Sequence, residues 1–224
     1  MSEVVVNQVV AVITGAAPLH QSALAAIPSG AIVLAADGAL DHALAAGLQP
    51  AGLVGDLDSV SDAGLQWAEA HATIDRHSPA KDHTDTELAL IMAVDFSPAR
   101  LILVAGGGDR LDHTITAIGA LGHRSLTSVP MIDGWWGEQA FHVLHGPGRR
   151  TLGLPVGTTI SLVALHGGAT GVSITGVEWP LDRAQLDAVV GLGVSNVTTA
   201  ESVEITVLAG VVTIFVAPHA GIAS

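Results

Sequence analysis

The 224-residue sequence contains no cysteine. Disulfides, thiolate metal sites and cysteine nucleophiles are therefore excluded, and any bound metal ion must be held by oxygen or imidazole ligands. Long apolar runs are also missing, since the longest stretch near the end, Ala209–Ala217, is much shorter than the ~18 to 20 residues of a membrane span. No basic segment followed by an apolar one marks a secretory signal. These absences predict a cytoplasmic protein with no membrane partner.

Positive charge is scarce. Lysine and arginine together number 8 against 21 acidic residues, so the formal net charge is −13. This charge balance argues against an extended surface that binds the phosphate backbone of a nucleic acid. A polyanionic ligand would need a metal ion or a few basic side chains at its binding site. Lys81 is the single lysine, and 11 of the 14 aspartates lie between Asp37 and Asp112. Their crowding indicates a functional site in that part of the chain.

The first half of the chain alternates short β-branched runs with longer segments rich in alanine and leucine, as a parallel sheet with crossover helices requires. The expected strands are Val9–Thr14, Ala31–Ala36, Gly52–Val54, Thr73–Arg76 and Arg100–Ala105. The expected helices are Leu19–Ile27, Ala39–Ala46, Ala63–His71, Thr86–Val94 and Asp112–Gly122. Five such repeats predict an open α/β domain over residues 1–134, with ligands bound outside the carboxyl ends of its strands.

The second half of the chain has a different amino-acid composition. After about Gly134, glycine-rich turns separate runs rich in valine, threonine, serine and isoleucine, which predicts an all-β domain over residues 135–224. Aromatic residues make up only 3% of the chain, yet Trp135, Trp136 and Trp179 all fall in this half. Their rings could stack on a flat ligand or could simply fill a core or an interface.

The first motif is Gly55-Asp56-Leu57-Asp58-Ser59. Alternate residues of an extended segment face the same side, so Asp56 and Asp58 could present two carboxylates to Mg²⁺, which prefers hard oxygen ligands. The alternative is structural, with Asp58 and Ser59 as helix caps and Asp56 as a turn residue.

The second motif is Lys81-Asp82-His83-Thr84-Asp85-Thr86-Glu87, directly before an alanine- and leucine-rich helix. Lys81 beside aspartates could form a surface salt-bridge cluster or bind a phosphate next to its metal ion. Thr84 and Glu87 have the spacing of a capping box, which predicts a helix start. His83 could be a ligand, although a solvated or structural role suits it better.

The third motif is Gly106-Gly107-Gly108-Asp109-Arg110-Leu111-Asp112-His113, which follows an expected strand. Its glycines expose amide N–H groups near a helix start, Arg110 can bind two phosphate oxygens, and Asp112 can reach a metal ion or a nucleophile. Glycine-rich turns also serve as plain connections between a strand and a helix. The segment is neither a Walker P-loop nor a dinucleotide fingerprint.

Taken in order, the three motifs resemble the signature of the thiamine pyrophosphokinase (thiamine diphosphokinase) family. The resemblance extends upstream to Ala36-Asp37-Gly38 and downstream to Gly176-Val177-Glu178-Trp179-Pro180-Leu181 and Gly193-Val194-Ser195-Asn196. It implies an α/β ATP-binding domain followed by a β-sandwich, in a homodimer with sites at the subunit interface. The implied reaction transfers the pyrophosphoryl group of ATP to the hydroxyl of thiamine, releases AMP and requires Mg²⁺.

Residue roles follow from the same resemblance. The implied metal ligands are Asp56, Asp58, Asp82 and Asp85, and the implied catalytic residues are Asp58, Asp82, Asp85, Arg110 and Asp112. The implied ATP-binding residues are Asp37, Gly38, Lys81, Thr84, Gly107, Gly108 and Arg110, and the implied thiamine-binding residues are Trp179, Ser195 and Asn196.

Two departures from the family pattern bear on ATP affinity. Asp109 stands where the family has a second glycine before the arginine, and Ala39 stands where a second glycine often follows Asp-Gly. Two other functions stay open from the residues alone. One is a metal-dependent nucleotidyl- or glycosyltransferase that uses Asp-x-Asp, and the other is a non-catalytic module that binds thiamine or a magnesium nucleotide.

Overall fold

The computed structural model describes residues 8–80, 82–108 and 110–218. The chain forms two compact units, Met1–Glu138 and Gln139–Ser224. The division falls four residues after the expected boundary at 134, because the strand Met131–Trp136 belongs to the first unit. Trp135 and Trp136 therefore lie in the first unit and not in the all-β half, where the sequence had placed them.

The first unit contains a parallel sheet of six strands in the order β6-β5-β1-β2-β3-β4. The strands are β1 (Val9–Thr14), β2 (Ile32–Ala36), β3 (Gly52–Gly55), β4 (Thr73–Arg76), β5 (Arg100–Ala105) and β6 (Met131–Trp136). The strand order reverses between β1 and β5, since the chain builds outward on one side of β1 and then returns to the other. A ligand crevice is expected outside the carboxyl ends at such a reversal.

Five helices connect these strands. They are α1 (Gln21–Ala25), α2 (Ala39–Ala45), α3 (Asp62–His71), α4 (Asp85–Asp95) and α5 (Leu111–Ala120). The predicted capping box at α4 is confirmed, because the Glu87 amide donates to Thr84 Oγ1 at 3.2 Å and the Thr84 amide donates to Glu87 Oε2 at 2.7 Å. Apolar side chains of β1, β2 and β5 pack with those of α2, and a second cluster joins β2 and β3 to α3.

The sixth strand, β6, was not predicted. Its sequence, Met-Ile-Asp-Gly-Trp-Trp, places aspartate and glycine, both poor strand formers, in the middle of the strand. The structure compensates with an ion pair, in which Arg100 Nε of β5 donates to Asp133 Oδ2 at 2.6 Å. Asp133 is almost fully buried, and a buried carboxylate is tolerated when it is paired and hydrogen-bonded.

The second unit consists of two antiparallel sheets. One has the order β12-β9-β14-β7, from strands β7 (Gln139–His145), β9 (Thr159–Val163), β12 (Gly193–Val197) and β14 (Val211–Val216). The other has the order β11-β10-β13-β8, from β8 (Gly148–Gly153), β10 (Ala169–Thr175), β11 (Leu181–Leu186) and β13 (Ser202–Val207). Alternate side chains of both sheets share one buried apolar core. The predicted fold class, an α/β domain followed by a β-sandwich, is confirmed.

None of the helices in the described part of the chain is both long enough and apolar enough to span a bilayer.

Candidate active site

A cleft of about 510 Å³ lies at the carboxyl edge of the sheet in the first unit. It is lined by residues from the ends of β1, β2 and β6, from the turn after β3, from the starts of α2 and α4, and from α5. They are Thr14, Gly15, Ala16, Ala36, Asp37, Gly38, Ala39, Asp41, His42, Ser59, Thr84, Asp85, Thr86, His113, Ala117 and Trp136. Its volume suits a small-molecule ligand.

A second hollow beside α4, lined by His83 and His123 among others, measures only about 40 Å³ and is too small for a small-molecule ligand.

Three carboxylates converge at this edge. Asp37 follows β2, while Asp56 and Asp58 follow β3, and each offers an oxygen within 4.8 Å of the other two. The pairing of Ala36 with Val54 in adjacent parallel strands brings the two strand ends side by side. The sequence had placed Asp37 with ATP, whereas the structure groups it with two of the expected metal ligands.

The segment from Asp56 to Asp58 is not the extended run that was expected. Leu57 between them has a backbone φ of +66° and a buried side chain. The Asp58 amide donates to Asp56 Oδ1 at 3.3 Å, as in an Asx turn. The two carboxylates are therefore brought together by a tight turn with a buried leucine at its centre, and not by the alternation of a strand.

Asp37 is a half-buried member of this cluster. Burial raises the pKa of its carboxyl group, and the negative charges of Asp85 and Asp56 raise it further, against the lowering effect of hydrogen bonds from Gly38 and Ser59. Its Oδ1 is buried and has no hydrogen-bond partner in the described structure. An oxygen of this kind, beside two more carboxylates, is suited to a hard divalent cation.

The raised pKa predicts how stability changes in the Asp37→Asn variant. The folded protein favours the neutral form of Asp37 more than the unfolded chain does, so the stability that Asp37 contributes is full below the pKa of an unfolded aspartate, about 3.9, and is lost as pH rises through the higher folded-state value. Asparagine stays neutral and tolerates the φ of +48° found at this position. The variant should melt at a higher temperature than the parent at pH 7 in the presence of EDTA. Thermal scans from pH 3.5 to 8 should show the difference shrinking toward the acid end, and a difference that does not vary with pH would contradict this account.

Asp85, the first residue of α4, lies against the same cluster. A Cβ at position 55 would come within 3.0 Å of Asp85 Oδ1 and 3.1 Å of Asp37 Cβ, so Gly55 leaves the room that these carboxylates occupy. Gly55 also has a φ of +149°, which favours glycine. Asp85 lines the cleft, and the start of α4 aims its amides toward the same region.

The other predicted residues of the second motif do not lie against the carboxylate cluster as Asp85 does. The Thr84 hydroxyl accepts from the Glu87 amide and donates to Glu87 Oε2 at 3.0 Å, so it serves the helix cap. Thr84 still lines the cleft. Asp82 is exposed and is absent from both the cleft lining and the carboxylate cluster of the described residues. Lys81, expected at ATP, lies outside the described residues, as does Asp109.

The third motif forms the turn between β5 and α5. Gly107 and Gly108 have φ values of +84° and +76°, a left-handed conformation that favours glycine. Arg110 precedes α5 and donates to Asp112 through Nη2 at 2.6 Å and Nε at 3.2 Å. This bond raises the pKa of Arg110 and lowers the pKa of Asp112. Both side chains are well exposed, at 72% and 61%, so a phosphate group could replace Asp112 as the partner of the guanidinium.

The expected thiamine-binding residues lie in the second unit. Trp179 is 57% exposed, which excludes a role as core filler. Asn196 is buried, and its amide bridges the backbone of Trp179, accepting from the Trp179 amide at 3.1 Å and donating to its carbonyl at 2.6 Å. Asn196 thus supports Trp179 through its side chain. Ser195 is exposed with a φ of +62°, and its amide donates to Ser161 Oγ at 3.0 Å.

Several cleft residues had not been predicted. They include Thr14, Gly15, Asp41, Ser59, His113 and Trp136. The position of Thr14-Gly15 after the first strand was a usable signal, because ligands bind at strand ends in such sheets. Thr14 Oγ1 lies 2.5 Å from Thr86 Oγ1, which ties the end of β1 to α4. Trp136 had been considered as a ring that could stack on a ligand or fill a core, but it was assigned to no site, because β6 was not predicted.

Residues 25–132 match the family model described as the catalytic domain of thiamin pyrophosphokinase. Residues 142–212 match the model described as its vitamin B1 binding domain. A search among curated proteins found no match.

Solved structures of thiamin pyrophosphokinases share the fold. The enzyme from Bacillus subtilis is 19% identical, with 95% of this chain and 99% of that one covered at a TM-score of 0.79. The one from Geobacillus thermodenitrificans is 20% identical, with 96% and 99% covered at 0.76. The one from Candida albicans is 13% identical, with 93% and 89% covered at 0.75.

The α/β unit with its acidic cleft, the β-sandwich and the two family models define an ATP-using transferase. The chain belongs to the thiamin pyrophosphokinase family, and its activity is that of a thiamine diphosphokinase. The other two functions that the residues left open are not favoured by these findings.

Proposed function

We propose that the cleft of the first unit is where pyrophosphate passes from ATP to thiamine, and that the reaction requires Mg²⁺. The observation that supports this most strongly is the cluster of Asp37, Asp56 and Asp58, with a buried and unpartnered oxygen on Asp37. Pyrophosphoryl transfer needs positioning and neutralisation of charge more than covalent help from the protein. The cleft offers carboxylates and helix starts for that task.

The donor set fits a magnesium ion. Carboxylate oxygens are its preferred protein ligands, and Asp37, Asp56 and Asp58 would hold it, with Asp85 beside them. Bound there, the ion would neutralise phosphate charge that the carboxylates would otherwise repel. Of the four ligands expected from the sequence, Asp82 has the least support, because among the described residues it belongs neither to the carboxylate cluster nor to the cleft lining.

The residues of this chain have separate tasks in the transfer. The guanidinium of Arg110 and the amides of Gly107 and Gly108 bind phosphate oxygens. The oxygen of the thiamine hydroxyl attacks the β-phosphorus of ATP, the bond from that phosphorus to the α,β-bridging oxygen breaks, and AMP leaves. The hydroxyl proton passes to a carboxylate of the site, for which Asp112 and Asp58 are the exposed candidates.

The experiment that tests this proposal is incubation of the purified protein with ATP, Mg²⁺ and thiamine, followed by chromatography. Equal amounts of AMP and thiamine diphosphate are expected, and EDTA should stop their formation. Formation of ADP, or release of pyrophosphate together with an adenylylated product, would instead identify another transferase. Binding of both ligands without products would identify a non-catalytic module.

Thiamine recognition is assigned to Trp179. An aromatic face can stack on the pyrimidine ring or the thiazolium cation, and the net charge of −13 favours approach of that cation. Such a contact is worth about 0.5 to 2 kcal/mol. Trp179→Ala should therefore raise the Michaelis constant for thiamine roughly 2- to 30-fold while the constant for ATP stays unchanged.

The exposed position of Trp179 predicts that the same variant keeps the melting temperature of the parent. Asn196→Ala should act in the same direction on thiamine but should also lower the melting temperature, because it removes a buried side chain that bonds both the amide and the carbonyl of Trp179. Equal thiamine constants in parent and Trp179→Ala would place the thiamine site elsewhere.

A homodimer with sites at the subunit interface belongs to the same proposal. Supporting it are large apolar side chains that stay exposed in the second unit, at Val189, Val190, Leu192 and Val194, beside the strand that supports Trp179. Surfaces of this kind commonly mark an interface. Light scattering at micromolar concentration should report about twice the chain mass of 22.6 kDa. A fully active monomer would contradict the prediction.

The proposal also includes a cytoplasmic location, where ATP is available.

A further inference from the structure

We infer that Asp41 is a positioning residue for the loop 56–60, which carries two of the three clustered carboxylates. Its own carboxylate fixes Ser61, the residue that ends this loop. The inference rests on the proposed metal-binding function of the loop and adds to it a support that no motif of the sequence marked.

Asp41 lies in the first turn of α2, and both of its carboxylate oxygens bind one residue of another element. Oδ2 accepts from the Ser61 amide at 2.8 Å, and Oδ1 accepts from the Ser61 hydroxyl at 2.7 Å. Hydrogen bonds to an ionised carboxylate are stronger than those between neutral groups. Although Asp41 lines the cleft, its side chain is committed to Ser61 in preference to a ligand.

Ser61 connects Asp41 to the start of α3. Its hydroxyl oxygen accepts from the Gly64 amide at 3.0 Å and so caps the helix. A Cβ at position 64 would collide with Asp41 Oδ1, so this glycine leaves the space in which the Asp41 carboxylate sits. Asp41, Ser61 and Gly64 therefore form one contact set that defines where α3 begins.

The loop is fixed at both ends. At its start, the His77 amide donates to the Gly55 carbonyl at 2.8 Å, which anchors β3. At its end, Asp41 holds Ser61. Between them the loop lies against α2, where a Cβ on Gly38 would come within 3.0 Å of the Ser59 carbonyl oxygen. Like charges within 4.8 Å of one another repel, and a loop tethered at both ends resists the spreading that this repulsion favours.

A purely structural role for Asp41 makes a different prediction. Loss of a helix cap lowers the stability of the fold but leaves the cation affinity of the folded protein unchanged. A positioning role changes the cation affinity, because groups that orient metal ligands typically affect metal binding about 10- to 100-fold. Cation binding measured without substrates therefore separates the two roles.

The test is Mn²⁺ binding to the full chain, followed by electron paramagnetic resonance of the free ion, together with thermal unfolding. Asp41→Asn, Ser61→Ala and Gly64→Ala should each weaken Mn²⁺ binding by about tenfold. Gly64→Ala is informative because alanine is the better helix former, so its effect must come from displacement of the Asp41 carboxylate. The thiamine Michaelis constant should stay that of the parent in all three.

Two variants serve as matched controls. Ser61→Thr keeps the hydroxyl and should bind Mn²⁺ like the parent. Asp62→Asn removes one negative charge from the first turn of the same helix, at an exposed side chain, and should also bind like the parent. If Asp41→Asn folds poorly, Ser61→Ala gives the decisive value, because it keeps the bond from the Ser61 amide to Asp41.

Parent-like Mn²⁺ affinity in Asp41→Asn and Ser61→Ala, with only a lower melting temperature, would overturn the inference and leave Asp41 a helix support. A separate arm addresses the site itself, since Asp58→Asn should abolish Mn²⁺ binding. If the parent binds no Mn²⁺ that this variant removes, the proposed metal site is wrong and the inference fails with it.

Discussion

Replacing Asp58 with asparagine is expected to lower the turnover number by roughly 10³-fold while the protein stays folded. The magnitude corresponds to removal of one group that stabilises charge in a preorganised transition state. Asp58 is exposed and belongs to a cluster of three carboxylates within 4.8 Å, so it contributes repulsion and no core packing. The melting temperature measured in EDTA should therefore equal or exceed that of the parent.

The measurement is steady-state kinetics over a range of Mg²⁺ concentrations, paired with thermal unfolding. Asp62→Asn, which makes the same change four residues later on an exposed side chain, should keep the parent rate. A fully active Asp58→Asn enzyme would remove Asp58 from the site. A large drop in melting temperature would show instead that its hydrogen bond from the Ser59 hydroxyl, at 2.9 Å, maintains the fold.

Changing Arg110 to lysine should lower turnover by roughly 10²-fold and raise the Michaelis constant for ATP. Lysine keeps the positive charge but loses the planar fork that binds two phosphate oxygens, and arginines that stabilise phosphoryl transfer are among the most costly to replace. The ability of Arg110 to bind a carboxylate in this manner is visible in its double hydrogen bond to Asp112.

Arg183 offers a matched control for this substitution. It is an exposed arginine in the second unit, 3.8 Å from the carboxylate of the neighbouring Asp182. Arg183→Lys should leave both turnover and the ATP constant at parent values. If Arg110→Lys behaves in the same way in stopped-assay kinetics, Arg110 contributes only a surface ion pair, which would be worth little.

Most of the α/β fold could be predicted because its elements depend on local patterns. Apolar β-branched runs such as Val9–Thr14 and capping signals such as Thr84 with Glu87 sit next to one another in sequence. The sixth strand was not predicted because aspartate and glycine stand in its middle, and the ion pair of Asp133 with Arg100 joins residues that are 33 positions apart in the sequence. The helix expected at Leu19–Ile27 is shorter, Gln21–Ala25, because the His20 side chain caps its start and the chain turns at Ala26, two residues before Pro28.

Those residues of the candidate site that directly follow a strand could be predicted from the sequence. Asp37, Asp56 and Asp58 each follow a strand, and parallel strands end at one edge of a sheet. The grouping of Asp37 with the other two depends on the register between β2 and β3, which no local pattern reveals. The role of Asn196 could not be predicted either, because its side-chain amide binds the backbone of Trp179, which lies 17 residues earlier in the sequence.

The cleft is built almost entirely from residues that come after strands, and this has an evolutionary consequence. The sheet beneath it is made of buried aliphatic side chains such as Ile13, Leu53 and Val104, which pack on helices. Exposed side chains at these strand ends that make no buried contact can therefore change with little penalty to the scaffold, whereas the turn from Asp56 to Ser61 is held by the buried Leu57 and by the bonds between Asp41 and Ser61. A descendant of this chain would therefore acquire a different acceptor or nucleotide through changes at such exposed positions, while the strands remain under selection for packing.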